Sequence, residues 1–204
     1  MDLSIPLAAF GLGAALGASP GPVQLLLFSE ASRGGVGRGL RAMAGANGTF
    51  GLMLLLLAAG LAALEPSEGF LRVVKVIGGG FLVFLAVEAI RENRRPPVEA
   101  GERSGLHPGV KGIVAVLLNP GAYVFLATTG TAIIATAADE GGRALAFATV
   151  IALLVGVSLM DFAMVVLGAG AHRVSDRFLR ILSDVLAVAM GALGVWLIVQ
   201  GIVS

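Results

Sequence analysis

The sequence contains no cysteine, which excludes disulfides, cysteine-ligated metals and thiol redox chemistry. It is also poor in charge: 13% of its 204 residues are Asp, Glu, Lys or Arg, whereas soluble domains carry about 25%. A chain with so few charged side chains cannot cover a water-facing surface. Because its basic residues are scattered between apolar runs, we expect no nucleic-acid partner.

Apolar residues make up 57% of the chain, and the mean hydropathy is +0.94. A run of about 20 apolar residues is long enough to cross a bilayer. Six such runs occur: Leu3–Phe28, Leu40–Leu64, Val73–Ile90, Val110–Ala138, Ala144–Ala171 and Phe178–Val203. We therefore predict an all-α integral membrane protein with six transmembrane helices, which form a single domain over residues 1–204 in the lipid bilayer.

Two of the six runs contain residues that break helices. The first run includes Ser19-Pro20-Gly21-Pro22, and the fourth includes Asn119-Pro120-Gly121. Proline lacks a backbone donor and clashes with the preceding turn, so helices 1 and 4 are predicted to be interrupted at these prolines. Paired interruptions at corresponding places in two halves are typical of a binding site in a secondary transporter.

Short motifs recur in the same order in the two halves of the chain. Gly37-Arg38-Gly39-Leu40 is similar to Gly142-Arg143-Ala144-Leu145, and Phe70-Leu71-Arg72 is similar to Phe178-Leu179-Arg180. Three spans per repeat is an odd number, so the second copy must be inverted relative to the first. We predict two inverted three-helix repeats, at about residues 3–90 and 110–203, joined by a charged cytoplasmic linker over residues 91–109.

Asp161 is the strongest candidate for a functional residue. It lies well inside the fifth run, and no base is found one helical turn away. A carboxylate at membrane depth is costly and is therefore a hypothesis of function, here the coupling of transport to protons. Residues around the two interruptions, together with polar residues within the spans, are expected to bind and pass the substrate: Ser19, Pro20, Gly21, Pro22, Gln24, Asn47, Asn119, Pro120, Gly121 and Tyr123. Glu30, near a span end, is expected to pair locally with Arg33.

Three motifs together resemble the LysE/RhtB family of amino-acid exporters over nearly the whole chain. They are A-S-P-G-P at residues 18–22, G-L-R-A-M-A-G-A-N-G-T-F-G at residues 39–51, and G-x₆-N-P at residues 112–120. The resemblance implies a six-span exporter of amino acids or related small metabolites in a prokaryotic inner membrane, working by proton antiport and assembling as a homodimer. Family members often carry an acidic residue in the fifth span, which Asp161 matches. Many members have lysine after Asn-Pro, where this chain has Gly121. The resemblance therefore does not imply a specific cargo such as lysine or arginine.

Two other functions fit the same composition. An exporter of an inorganic ion could use the same scaffold, although a single buried aspartate makes a poor cation cage and no metal or cofactor is expected. An intramembrane enzyme would have to rely on His107 and His172, which lie in or beside the predicted loops. The chain has no H-E-x-x-H or G-x-S-x-G motif, so we do not expect an enzyme.

The distribution of basic residues predicts the topology. Eleven of the 14 lysines and arginines fall on the side of the 91–109 linker, and three fall on the other side. Basic loops stay in the cytoplasm, so both termini are expected outside. Single cysteines at Ser104 and Ser204 should react with an impermeant thiol reagent from opposite faces of the membrane. The unmodified chain, which has no cysteine, is the background control, and reaction of both from one face would contradict this topology.

Overall fold

The structure is a computed structural model that describes residues 3–19, 21–60, 68–93, 106–170 and 176–203. No strand occurs among these residues, and nearly all of them are helical. The helices are α1 (Ser4–Ala18), α2 (Pro22–Ala58), α3 (Glu68–Asn93), α4 (Pro108–Leu117), α5 (Pro120–Phe125), α6 (Thr131–Gly170) and α7 (Asp176–Val203). A π-helical turn, Leu126–Gly130, joins α5 to α6.

Helices α2 and α6 each bend at a pair of glycines. In α2, Gly34 has φ −139° and ψ 19°, and Gly35 has φ 71° and ψ −173°. In α6, Gly141 has φ −142° and ψ 15°, and Gly142 has φ 67° and ψ −166°. The second glycine of each pair lies in a region of φ and ψ that is essentially closed to residues with a Cβ. The two bends therefore have nearly the same backbone conformation.

The bend in α2 brings its two arms, residues 22–33 and 36–58, into contact. A Cβ on Gly39 would lie 2.8 Å from the Cβ of Ala31. Eight residues along a straight helix would separate these positions by about 12 Å, so the chain turns back on itself at Gly34 and Gly35. One continuous helical element thus supplies parts of two successive spans.

The sequence-based boundaries need correction at these bends. The polar stretches Ser29–Gly39 and Asp139–Arg143 lie between the predicted spans, where turns are expected, but both are helical apart from the glycine pairs. A charged stretch between apolar runs therefore need not be a loop, because the reversal requires only two glycines. The bends also change the alignment of the two halves, because Gly142 corresponds in conformation to Gly35 rather than to Gly37. Most of the predicted 91–109 linker lies outside the described residues.

The two halves of the chain make the same set of helix contacts. Exchanging α1 with α4, α2 with α6 and α3 with α7 reproduces the contacts that follow. Helix α1 packs against α6, α4 packs against α2, α2 packs against α6, and α3 packs against α7. Glycines at these contacts allow the backbones to touch. A Cβ on Gly13 of α1 would collide with the backbone of Leu153 in α6, and a Cβ on Gly112 of α4 would collide with the backbone of Ala42 in α2. Small residues permit this kind of close approach between helices in lipid.

The outer surface of the bundle is strongly apolar. Leu7 is 71% exposed, Leu167 is 60% exposed and Trp196 is 55% exposed. Exposed apolar surface on this scale suits a bilayer rather than water. By length and composition, two helical stretches could cross a membrane, Pro22–Ala58 and Gly121–Gly170, and each contains one of the two bends. Shorter apolar helices occur at Ser4–Ala18, Lys75–Val87, Pro108–Leu117 and Ala187–Val203.

The positive φ of Gly35 gives a test of the bend. Replacing Gly35 with alanine should destabilise the fold by about 1–3 kcal/mol, because a Cβ is strained at φ 71° and ψ −173°. Gly37→Ala is the matched control: it lies two residues away, has open space for a Cβ, and should instead gain roughly 0.5–1 kcal/mol. Thermal unfolding in detergent measures both variants. Equal stability of the two would contradict the assigned bend.

Candidate functional site

The first interruption separates α1 from α2. Helix α1 ends at Ala18, and Ser19 takes an extended conformation with φ −68° and ψ 123°. Its backbone N–H still donates to the carbonyls of Ala15 and Leu16, at 3.1 and 3.2 Å. Gly21 is extended, and Pro22 occupies the first turn of α2, a position where its missing N–H costs nothing. Pro20 lies outside the described residues.

The second interruption separates α4 from α5 and is closed by its own side chains. Asn119 is extended, with φ −92° and ψ 104°, and its Oδ1 accepts a 3.0 Å hydrogen bond from the backbone N–H of Gly121. The Tyr123 hydroxyl donates to the carbonyl of Leu117 at 2.8 Å. This side-chain cap and the tyrosine bond satisfy polar backbone groups that the break would otherwise leave open. Gly21, at the corresponding place in the first break, has no side-chain cap.

Both interruptions open onto one cavity of about 260 Å³. The first turn of α2 and the first turn of α5 therefore face the same space. Its polar lining is formed by Ser19, Gln24, Asn47, Asn119 and Asp161, with Gly21, Pro22 and Gly121. The rest of the lining is apolar and was not singled out from the sequence: Leu16, Val23, Phe50, Val116, Ala122 and Val157.

Asp161 is the one charged residue among those that line the cavity. It lies on the second arm of α6 and is 1% exposed. Its Oδ1 accepts a 3.3 Å hydrogen bond from Nε2 of Gln24, whereas its Oδ2 is buried and has no hydrogen-bond partner among the described residues. A buried carboxylate oxygen without a donor is costly. The site therefore favours a proton or a cationic group at Oδ2.

A second polar bond crosses the bundle one turn away from Asp161. Nδ2 of Asn47 donates to the Ser158 hydroxyl at 3.0 Å, which ties the second arm of α2 to α6. Close packing of the same two helices supports this arrangement, because a Cβ on Gly51 of α2 would lie 2.9 Å from Cδ2 of Leu154 in α6. The hydroxyls of Thr49 and Thr128 do not bond another helix in this way. Each donates to the backbone carbonyl four residues earlier in the chain.

A buried ion cluster lies apart from the cavity lining and was missed by the sequence analysis. Glu30 and Lys111 are each 1% exposed, and Lys111 Nζ donates to Glu30 Oε1 at 3.1 Å. Arg38 binds the other carboxylate oxygen of Glu30. The sequence predicted a local pair of Glu30 with Arg33, one helical turn away. The structure bonds Glu30 to Arg38 and Lys111, which lie 8 and 81 residues away along the chain. The sequence carried one sign of this cluster. Glu30 lies just after the apolar run Leu3–Phe28, and Lys111 lies at the start of the run Val110–Ala138.

The structure brings together most of the residues proposed from the sequence. Eight of them line the cavity: Ser19, Gly21, Pro22, Gln24, Asn47, Asn119, Gly121 and Asp161. Tyr123 lies outside the lining and braces the second interruption instead. Pro120 begins α5. The roles of these residues in binding remain predictions.

An apolar exterior and interrupted helices beside a cavity lined by a buried carboxylate are features typical of membrane transport proteins. The chain belongs to the LysE type translocator family, whose family model matches residues 14–201. It is therefore a membrane protein of an export-transporter family rather than of an enzyme family. No curated protein and no solved structure matches the chain.

The cap at the second interruption can be tested separately from transport. Asn119→Ala should destabilise the protein by about 1 kcal/mol, because the Gly121 N–H loses its acceptor. Asn119→Ser retains an oxygen able to accept this bond and should lose much less. Thermal unfolding of the two variants in detergent gives the comparison. If alanine and serine unfold alike, the Asn119 side chain does not stabilise the break.

Proposed function

We propose that the protein is a secondary exporter of amino acids or related small metabolites, driven by proton antiport at Asp161. The observation that carries the proposal is the Asp161 carboxylate, which is 1% exposed and lines a cavity between two helix interruptions. Its Oδ2 has no partner among the described residues. Intramembrane acids in such surroundings commonly mark proton or substrate pathways.

The lining suits a substrate with an ammonium group. An ammonium has three donors and no acceptor, and Asp161 offers it a carboxylate oxygen. Gln24, Asn47 and Asn119 add amide groups that carry no charge. The cavity is small, at about 260 Å³, which favours a solute of amino-acid size. Gly121 contributes no positive charge at the place where many family members have lysine.

The start of α2 suits the carboxylate of the same substrate. Gly21, Val23 and Gln24 line the cavity, and the N-cap of α2 makes no side-chain hydrogen bond. Free backbone N–H groups and the helix dipole both favour an anion at a helix N-terminus. Asp161 hydrogen-bonds Gln24 on this first turn. An amino acid could therefore place its ammonium group at Asp161 and its carboxylate at the start of α2.

Proton antiport follows from competition at one carboxylate. Asp161 can hold a proton or a substrate ammonium at Oδ2, and occupancy by one cation excludes the other. If the cavity opens alternately to the two sides, export of the ammonium is exchanged for inward movement of a proton. The proposal includes two inverted repeats, with both termini outside the inner membrane. It is supported by the matching dihedral angles of the bends at Gly34–Gly35 and Gly141–Gly142.

The alternative cargo, an inorganic ion, receives less support from this lining. Hard divalent cations prefer several charged or carbonyl oxygen ligands, and the cavity lining supplies one carboxylate among side-chain amides and apolar groups. Uptake of a panel of radiolabelled amino acids into inverted vesicles, with divalent cations tested in parallel, distinguishes the two cargoes. Transport of cations alone would replace the amino-acid proposal.

Asp161→Asn tests the coupling. The amide keeps the shape and a hydrogen-bond acceptor but cannot titrate, so the variant should insert normally and lose substrate uptake driven by a pH gradient in inverted vesicles. Asp139→Asn is the matched control, because Asp139 is exposed near the bend in α6 and should leave uptake unchanged. Wild-type rate and pH dependence in Asp161→Asn would show that coupling occurs elsewhere.

A further inference from the structure

The buried ion cluster of Glu30, Arg38 and Lys111 joins three separate segments. Glu30 lies on the first arm of α2, Arg38 lies on the second arm, and Lys111 lies on α4. The side chains of Glu30 and Lys111 are 2% and 1% exposed, and that of Arg38 is 10% exposed. The cluster therefore connects the two interrupted spans through charged groups that water hardly reaches.

The cluster lies on one side of the cavity along both interrupted spans. Glu30 follows the cavity residue Gln24 by six positions, or about 9 Å along a helix. Lys111 precedes the cavity residue Val116 by five positions, or about 8 Å. Both steps lead toward the bend at Gly34 and Gly35. We call the side of the bundle that contains this bend the Gly34 end. The Glu30–Lys111 bond thus joins the broken helices between the cavity and that end.

Packing around Lys111 explains how a lysine comes to be buried there. A Cβ on the next residue, Gly112, would collide with the carbonyl oxygen of Ala42. This close approach seats α4 directly on the second arm of α2. The Lys111 ammonium then lies within 3.1 Å of Glu30 Oε1. Separating the two helices at this end would part the Lys111 ammonium from the Glu30 carboxylate while both are buried, which is costly until water enters.

The opposite end, at the bend of Gly141 and Gly142, has no such cluster at the corresponding positions. A Cβ on Gly34 would meet the Arg38 side chain, and a Cβ on Gly141 would meet the Leu145 side chain. Leu145 therefore corresponds to Arg38. Counting four residues back from the first glycine of each bend, Ala137 corresponds to Glu30. Both apolar residues are buried, at 3% and 0% exposure. Charged side chains therefore pack together near one bend, and apolar side chains occupy the corresponding positions near the other.

We propose that Glu30, Arg38 and Lys111 form a gate that holds the Gly34 end of the cavity closed. This inference rests on the proposed function, in which the cavity opens alternately to the two sides of the membrane. Opening at this end requires the Glu30–Lys111 bond to part, whereas opening at the other end parts apolar side chains. In the proposed topology the Gly34 end faces the cytoplasm, so the gate controls entry of cargo from the cell.

A single cysteine in the cavity can report on the gate without any transport measurement. The chain has no native cysteine, so Ala122→Cys, in the cavity lining, gives the only thiol. Its reaction with a membrane-impermeant methanethiosulfonate reagent is timed in inverted and in right-side-out vesicles, without substrate or gradient. Adding Glu30→Gln or Lys111→Gln should speed the reaction about tenfold or more from the face of the Gly34 end. The rate from the opposite face should not rise.

Arg41→Gln is the matched control, because it removes a charge from the same helix at an exposed position. It should leave both rates unchanged. If a single variant fails to fold because one charge is left unpaired, Glu30→Gln/Lys111→Gln removes both members of the pair and should show the same one-sided increase. Unchanged rates, or equal increases from both faces, would overturn the gate.

The gate and the proposed function fail in different ways. A one-sided change in cysteine reactivity in a protein that moves no amino acid would uphold the gate and refute the cargo. Normal amino-acid transport with unchanged reactivity in the Glu30 and Lys111 variants would uphold the exporter and refute the gate.

Discussion

At membrane depth, a backbone N–H or C=O without a partner costs several kcal/mol, because no water is available to replace the lost helical bond. Both interruptions must meet this constraint, and they do so differently. Asn119 and Tyr123 satisfy groups at the second break from within the protein. The first break leaves the N-cap of α2 without a side-chain bond, facing the cavity. That asymmetry makes the start of α2 the part of the site most suited to a bound group.

Glycine determines how closely the rest of the bundle can surround this site. Backbone contacts at Gly13 and Gly17 hold α1 against the second arm of α6, which carries Asp161. The contact at Gly112 holds α4 against α2 and buries Lys111 beside it. In a bilayer the lipid tails are as apolar as leucine, so helices gain little from hydrophobic burial against one another. Close backbone contact therefore has to supply much of the attraction.

Among the residues that the structure describes, two carboxylates are buried, and their partners differ. Glu30 is bonded by a lysine and an arginine from separate segments, so its charge is balanced inside the fold. Asp161 is bonded by the uncharged amide of Gln24 and has an oxygen without a hydrogen-bond partner among the described residues. A balanced carboxylate favours one arrangement of its helices, whereas an unbalanced one favours a mobile cation. In the proposed function and gate, Glu30 would hold one level of the bundle closed and Asp161 would exchange cations at another.

Sequence patterns alone were enough to predict the helical class and the family, to place helix-breaking prolines near the ends of α1 and α4, and to single out Asp161 as a candidate site residue. These features rest on local signals: run length, proline chemistry and a charge within an apolar stretch. Only the tertiary structure decided that Gln24 bonds Asp161 across 137 residues, that Lys111 bonds Glu30 across 81, and that α2 and α6 continue through their predicted turns. Partners on different helices depend on the rotation and register of each helix. Those are set by glycine contacts between segments, which no local pattern in the chain records.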